Sequence, residues 1–258
     1  MRRFIVSLFH WTLGFIIFVI GGFLILIATF FPPERLHYRI ATYLSRALLW
    51  GVGGRIQIEG IYPTDQAYIY MANHASFLDM FVLAAIMKDK FTGVIAEEAT
   101  RYPFWNIITR RFRAIPIRRN DRDSAIASIQ IAEDRLYRGI QVGIMPEGTR
   151  TLDGRLGHFK KGGFHMAFNT GAPILPIGIE GTLRLKPKTS LHLTPGPVIV
   201  RIGHPIPAER YPCLTMEELM EEVRQQLLVL SGEVSADQSY YNEIANSSDR
   251  TLRGRHCI

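Results

Sequence analysis

His74 and Asp79 stand five residues apart in the stretch Asn73-His-Ala-Ser-Phe-Leu-Asp79, and a carboxylate beside an imidazole makes a base able to deprotonate an alcohol. A five-residue step turns about 140° around an ideal helix, so the two side chains meet only if His74 lies in a loop before the helix that Asp79 enters. The carboxylate then accepts from one ring nitrogen and leaves the other for a proton. The same residues also spell an ordinary helix start, with Ser76 as N-cap and Asp79 near the positive end of the dipole. A second patch, Met145-Pro-Glu-Gly-Thr-Arg150, follows the apolar run Val142-Gly-Ile-Met145. A strand ending in such a turn aims backbone N–H groups and an arginine at one point, which suits an anionic headgroup or a developing oxyanion. The plainer alternative is a Pro-Glu-Gly turn with a solvated Arg150.

The elements needed to position these residues are visible as alternating short apolar runs and helical patterns. Strands are expected at Arg55–Glu59, Ala67–Met71, Thr92–Ala96, Ala114–Ile117, Gln141–Met145, Ile174–Ile179, Ser190–Leu193 and Val198–Ile202. Helices are expected near Asp79–Lys88, Pro103–Arg111, about Arg122–Arg138, Gly163–Asn169, and from Thr215 to about Leu230, where Thr215 and Glu218 form a capping box. The alternation predicts an α/β fold with a largely parallel central sheet flanked by helices. Chemistry in such folds gathers beyond the strand C-termini. The His74 loop, Arg118 with Arg119, and the Glu147–Arg150 turn all follow strand ends.

From Phe4 to Phe31 there is no Asp, Glu, Lys or Arg. About twenty apolar residues suffice to span a bilayer, so an uncleaved N-terminal membrane anchor is expected. Residues 36–50 read as an amphipathic helix suited to the interface. A true span and a helical hairpin in one leaflet both fit. Three regions result: residues 1–50 as anchor and interfacial helix, 51–232 as the domain, and 233–258 as a polar, mobile tail. The net charge of +7 and the pI near 9.6 imply attraction to anions, and the apolar segment favours a phospholipid surface over nucleic acid. Cys213 and Cys257 lie far apart without metal-ligand spacing, which points to reduced thiols and no metal site.

Taken together, the motifs resemble the glycerolipid acyltransferase family, in particular its 1-acylglycerol-3-phosphate (lysophosphatidic acid) acyltransferases. Asn73–Asp79 resembles the first conserved block and Arg113-Ala-Ile-Pro-Ile-Arg-Arg119 the second. Met145–Arg150 resembles the third and Leu175-Pro-Ile-Gly-Ile179 the fourth. Gly157-His-Phe-Lys-Lys-Gly162 is similar to the segment that follows the third block. The blocks cover roughly Gln66 to Ile206 in the expected order. The chain departs from the pattern at Arg113, where glycine usually opens the second block, and at Arg118, where an acidic residue usually precedes the arginine. It departs again at Glu98, near which relatives often carry a lysine. The extra charge at Arg118 is expected to alter headgroup preference.

The resemblance implies transfer of an acyl group from acyl-CoA or acyl carrier protein to the free hydroxyl of lysophosphatidic acid, without a cofactor. His74 would be the base and Asp79 its partner. Arg119, Gly148, Thr149 and Arg150 would bind the acceptor's phosphate. Glu147 would either orient its loop or touch acceptor hydroxyls. Lys160 and Lys161 would meet phosphate, a carrier protein or solvent alone. Apolar side chains near the anchor would accommodate acyl chains or simply pack the core. The donor is made in the cytoplasm, so the expected location is a bacterial inner membrane with the site facing inward. The competing readings are a different acceptor (another lysophospholipid, a lyso-ornithine lipid or glycerol-3-phosphate), a hydrolase, a nucleic-acid binder, and a non-catalytic lipid-binding protein.

Overall fold

A computed structural model describes residues 2–31, 35–63, 65–87, 90–118 and 121–234. In chain order its helices are α1 (Arg2–Ala28), α2 (Arg35–Gly51), α3 (Asp79–Ile86), α4 (Pro103–Arg111), α5 (Arg122–Tyr137), α6 (Gly162–Thr170), α7 (Thr182–Leu185) and α8 (Met216–Leu230). The strands are β1 (Gly54–Glu59), β2 (Ile69–Ala72), β3 (Phe91–Ala96), β4 (Ile115–Ile117), β5 (Gln141–Ile144), β6 (Ile174–Glu180) and β7 (Gly196–Ile202).

The seven strands form one sheet in the order β1-β7-β6-β2-β5-β3-β4. Every pairing is parallel except β6 with β7, so the edge pair β1 and β7 runs against the other five. The largely parallel α/β architecture expected from the sequence is therefore the one observed. Its central strands are buried on both faces, as crossover helices require. On β2 the alternation of a strand sends Tyr70 and Ala72 into a core with α2 and α3. Ile69 and Met71 enter the opposite core with α5, α6 and α8. Gly178 on β6 allows the end of α8 to lie directly on the sheet; a Cβ there would come within 2.1 Å of the Leu230 backbone.

Local signals set several boundaries. Asp121 caps α5 by accepting the Ser124 N–H at 3.0 Å. Gly171, at φ 62°, ends α6 in the left-handed region, where a side chain is disfavoured. Thr215 and Glu218 make the expected reciprocal capping box.

Helices α1 and α2 form a hairpin against the face that carries α3. The buried residues of α1 are all small: Ser7, Gly14, Gly21, Gly22 and Ala28. Four of them recur every seven residues and form one stripe, where α1 closes on its neighbours; a Cβ on Gly14 would come within 2.5 Å of Val52 Cγ1. Contact runs almost the whole length of the helix. Near its start Ser7 accepts the Leu193 N–H at 2.8 Å, and just past its end Arg111 lies over the Phe30 ring at 4.7 Å. The opposite face exposes Phe4, Leu8, Phe15, Val19, Phe23 and Ile27. The helix is long and apolar enough to cross a membrane, yet one side of it is docked lengthwise on the protein.

Two expectations fail. Ser190–Leu193 is not a strand: the Leu193 N–H goes to Ser7 and the Thr194 N–H to the Leu185 carbonyl, so helices, not a sheet, take up this segment's hydrogen bonds. Cys213 is disulfide-bonded, not the free thiol expected. The tail expected over residues 233–258 lies outside the described residues beyond Val234, and Glu233 itself belongs to the fold, accepting the Leu156 N–H at 2.7 Å.

Candidate active site

Strand β2 ends at Ala72, and the next side chain prolongs its pairing with β6. Asn73 donates from Nδ2 to the Ile179 carbonyl at 2.9 Å and accepts the Ile179 N–H on Oδ1 at 2.7 Å. The loop from His74 to Leu78 then turns back over Asp79, the first residue of α3, whose side chain is fully buried. A single carboxylate oxygen, Oδ2, meets His74 Nδ1 at 2.9 Å and accepts the N–H groups of Ala75 and Ser76, each at 2.7 Å. Asp79 thus organises the loop and the ring with one atom. Its other oxygen is buried with no hydrogen-bond partner among the described residues. Ser76 is not the helix cap: its hydroxyl donates to the Lys186 carbonyl at 2.9 Å. The His74 side chain is 17% exposed, and with Nδ1 engaged, Nε2 is the nitrogen left to take a proton.

Glu147 fastens the second loop to the first. Its Oε1 accepts the His74 N–H and its Oε2 the Gly157 N–H, both at 2.8 Å. Burial pushes its pKa up from the ordinary 4.5, while the Gly157 and His74 N–H bonds oppose that rise. The Thr151 N–H donates to the His74 carbonyl at 2.9 Å, and the Lys160 N–H to the Pro146 carbonyl at 2.7 Å. Three segments distant in sequence are therefore locked around one imidazole. Both carboxylate oxygens of Glu147 are spent on backbone, so this residue orients loops.

His74 lies on the wall of a cavity of ≈ 650 Å³ at the strand C-termini, shared with Arg118, Glu147, Gly148, Thr149 and Lys160. Ile129, Ile144 and Met166 line it as well, so its wall combines polar and apolar side chains. A separate apolar cavity of ≈ 150 Å³ lies among Ile17, Phe18, Leu44, Phe81 and Phe112, between the α1–α2 hairpin and α3.

The expected residues divide. His74, Asp79 and Glu147 are brought together, and Gly148, Thr149 and Lys160 join them on the cavity wall. Lys161 instead pairs with Glu217 at 2.8 Å. Arg150 is partly exposed and off the cavity wall; burial, and then the charge of Arg150, lower the pKa of the Lys186 ammonium. Arg119 lies outside the described residues. Arg118 is not the spare charge expected: Nε and Nη2 reach Glu97 at 2.7 and 3.3 Å, and Nη1 reaches Asp121 at 3.1 Å. The pairing lowers the Glu97 pKa and raises that of Arg118. The sequence assigns no site role to Lys186, and none to Gly157 beyond its place in the segment after the third block, since one meets the loop through its carbonyl and the other through its N–H, and no side-chain pattern marks such contacts.

Residues 55–180 match a family model described as Acyltransferase. A 1-acyl-sn-glycerol-3-phosphate acyltransferase from Cocos nucifera is 34% identical over 163 residues, covering 63% of this chain and 53% of that protein. The chloroplastic 1-acyl-sn-glycerol-3-phosphate acyltransferase LPAT1 of Arabidopsis thaliana is 36% identical over 160 residues, covering 59% and 44%. The alpha form from Homo sapiens is 27% identical over 192 residues, covering 73% and 67%. The match thus spans about half the length of the first two relatives. The crystal structure of the 1-acyl-sn-glycerophosphate (LPA) acyltransferase PlsC from Thermotoga maritima superposes with a TM-score of 0.77 at 23% identity, covering 92% of this chain and 98% of that one. At that identity the superposition shows a shared fold.

Proposed function

We propose that this chain, whose residues 55–180 match the Acyltransferase family model, transfers an acyl group from a thioester, acyl-CoA or acyl carrier protein, to the free hydroxyl of lysophosphatidic acid, giving phosphatidic acid. The observation that carries the reading is the 2.9 Å contact of His74 Nδ1 with buried Asp79 on the wall of the large cavity. The acceptor's hydroxyl gives its proton to Nε2 as its oxygen attacks the thioester carbonyl. The C–O bond forms, the C–S bond breaks, and the thiolate leaves with the proton carried by the imidazolium. Asp79 stabilises that imidazolium and fixes its tautomer, a contribution on the order of 10²–10⁴ in rate. A thiolate leaves readily, so no acyl-enzyme is needed.

Glu147 is a positioning residue that holds His74 to its neighbours. Gly148, Thr149 and Lys160 meet the polar portion of the substrates at the cavity, and Arg119 and Arg150 supply positive charge for the acceptor's phosphate. The small-residue stripe of α1 supports a hairpin seated in one leaflet, because docking from Ser7 to Phe30 leaves only its outer face for lipid. That seat keeps the site where a single-chain acceptor resides, on the face supplied with acyl thioesters.

The test is thiol release by purified protein given lysophosphatidate with acyl-CoA and, separately, with acyl carrier protein. His74→Ala should lower turnover at least about a hundredfold while membrane binding persists. Undiminished turnover removes His74 from the mechanism, and thioester loss without an acceptor would indicate a hydrolase.

A further inference from the structure

The segment over residues 187–195 is a loop anchored at one end to the active site and at the other to α1. At its root, the Lys186 carbonyl accepts the Ser76 hydroxyl, and the buried Lys186 ammonium donates to the carbonyls of Pro187 and Ser190. Near its tip, the Trp11 indole N–H donates to the Leu191 carbonyl at 2.7 Å, and the Leu193 N–H donates to Ser7 Oγ at 2.8 Å. Trp11 also stacks parallel to Phe77, the residue after Ser76, with ring centroids 6.4 Å apart.

The two leucines of the tip have opposite fates. Leu193 is buried in the core, whereas Leu191 is 80% exposed although its carbonyl is tied to α1. One turn either side of Trp11 on that helix, Leu8 and Phe15 are also exposed. The apolar outer skin of α1 therefore continues onto the loop. Lys188 within the loop and Arg184 in α7, just before it, are both exposed and without an ion-pair partner among the described residues. An exposed apolar side chain on a loop that carries and follows such cations is complementary to one surface in particular, a bilayer with anionic headgroups.

We propose that this loop is a second membrane contact, in which Leu191 enters the same leaflet as the outer face of α1 while Arg184 and Lys188 meet anionic phospholipid headgroups. The inference rests on the membrane seat assigned to α1. It adds a consequence for catalysis: the lipid-seated tip is joined through Lys186 to Ser76, and through Trp11 to Phe77, so bilayer contact steadies the loop that carries His74.

Two measurements on the full-length protein decide it. In the first, Leu191 is replaced by an environment-sensitive fluorescent amino acid, and vesicles of phosphatidylcholine with or without phosphatidylglycerol are added. Blue-shifted emission shielded from an aqueous quencher, stronger with the anionic lipid, is expected; emission unchanged on vesicles that sediment with the protein overturns the proposal. In the second, Leu191→Asp should lower the rate with vesicle-borne lysophosphatidate about tenfold, leave the rate with a dispersed short-chain acceptor within about twofold, and be rescued by Leu191→Met. An equal fall on both acceptors would make the loop merely structural and sink the idea. Should wild type acylate neither acceptor, the enzymatic reading falls while the emission measurement still decides membrane contact.

Discussion

Replacing Asp79 by Asn isolates charge from geometry at this site to an unusual degree. All three hydrogen bonds to Asp79 converge on Oδ2, so an asparagine carbonyl oxygen in that place keeps every one of them and the same histidine tautomer. What disappears is the negative charge opposite the imidazolium. A unit charge pair at about 4 Å interacts by about 4 kcal/mol at an effective dielectric of about 20. With the proton half transferred, about half of that is lost, or roughly 30-fold in rate; with full transfer the loss approaches about 10³-fold. The new amide NH₂ falls where Oδ1 is already buried and unpartnered, which costs about 1–3 kcal/mol of stability. Initial rates of thiol release at saturating lysophosphatidate, with thermal melting of the same samples, measure both effects. A folded Asp79→Asn protein turning over within about threefold of wild type would refute the claim that the carboxylate's charge drives the step.

Other outcomes follow from the same contacts. Glu147→Gln retains one acceptor oxygen but sets an NH₂ against either the His74 or the Gly157 N–H, so stability should fall by about 1–3 kcal/mol and turnover at least about tenfold, read by melting and kinetics together. Because burial raises the Glu147 pKa above 4.5, the folded state holds that proton more tightly than the unfolded one. Its contribution is full below pH 4.5 and is lost as pH rises through the folded value, so the melting advantage of wild type over Glu147→Gln should shrink across that window. Arg118→Ala should leave the melting temperature within about 2 °C, since its ion pairs are exposed. Any change in substrate KM that Glu97→Arg or Arg118→Glu causes should be recovered in the double reversal. Gly14→Leu drives a side chain into Val52, only 2.5 Å from the Cβ site, and should lower both melting temperature and activity. Phe15→Ala, on the exposed face, should leave melting unchanged; equal effects from the two would contradict the docked orientation of α1.

Much of this architecture is legible in the amino-acid sequence. Periodicity locates all seven strands to within two residues at either end, because each carries its own burial pattern. The capping box at Thr215 is readable for the same local reason. The strand expected at Ser190–Leu193 failed because two apolar residues at alternating positions say nothing about the partner that takes the backbone hydrogen bonds, and here that partner was a helix from the far end of the chain.

At the site, the residue types and the five-residue spacing of His74 and Asp79 determined by themselves that a loop-to-helix junction could join a base to an acid. Tertiary structure decided the remainder: that one oxygen of Asp79 serves three donors, that Glu147 ties His74 to Gly157, that Glu97 occupies Arg118, and that the Lys186 carbonyl holds Ser76. Apart from the contacts of Asp79 and the Glu147 bond to Gly157, ten residues on, each of these joins groups at least 21 residues apart in sequence. A linear sequence specifies who is available to bond; only the packed sheet, by bringing its strand ends to one edge, fixes which of them meet.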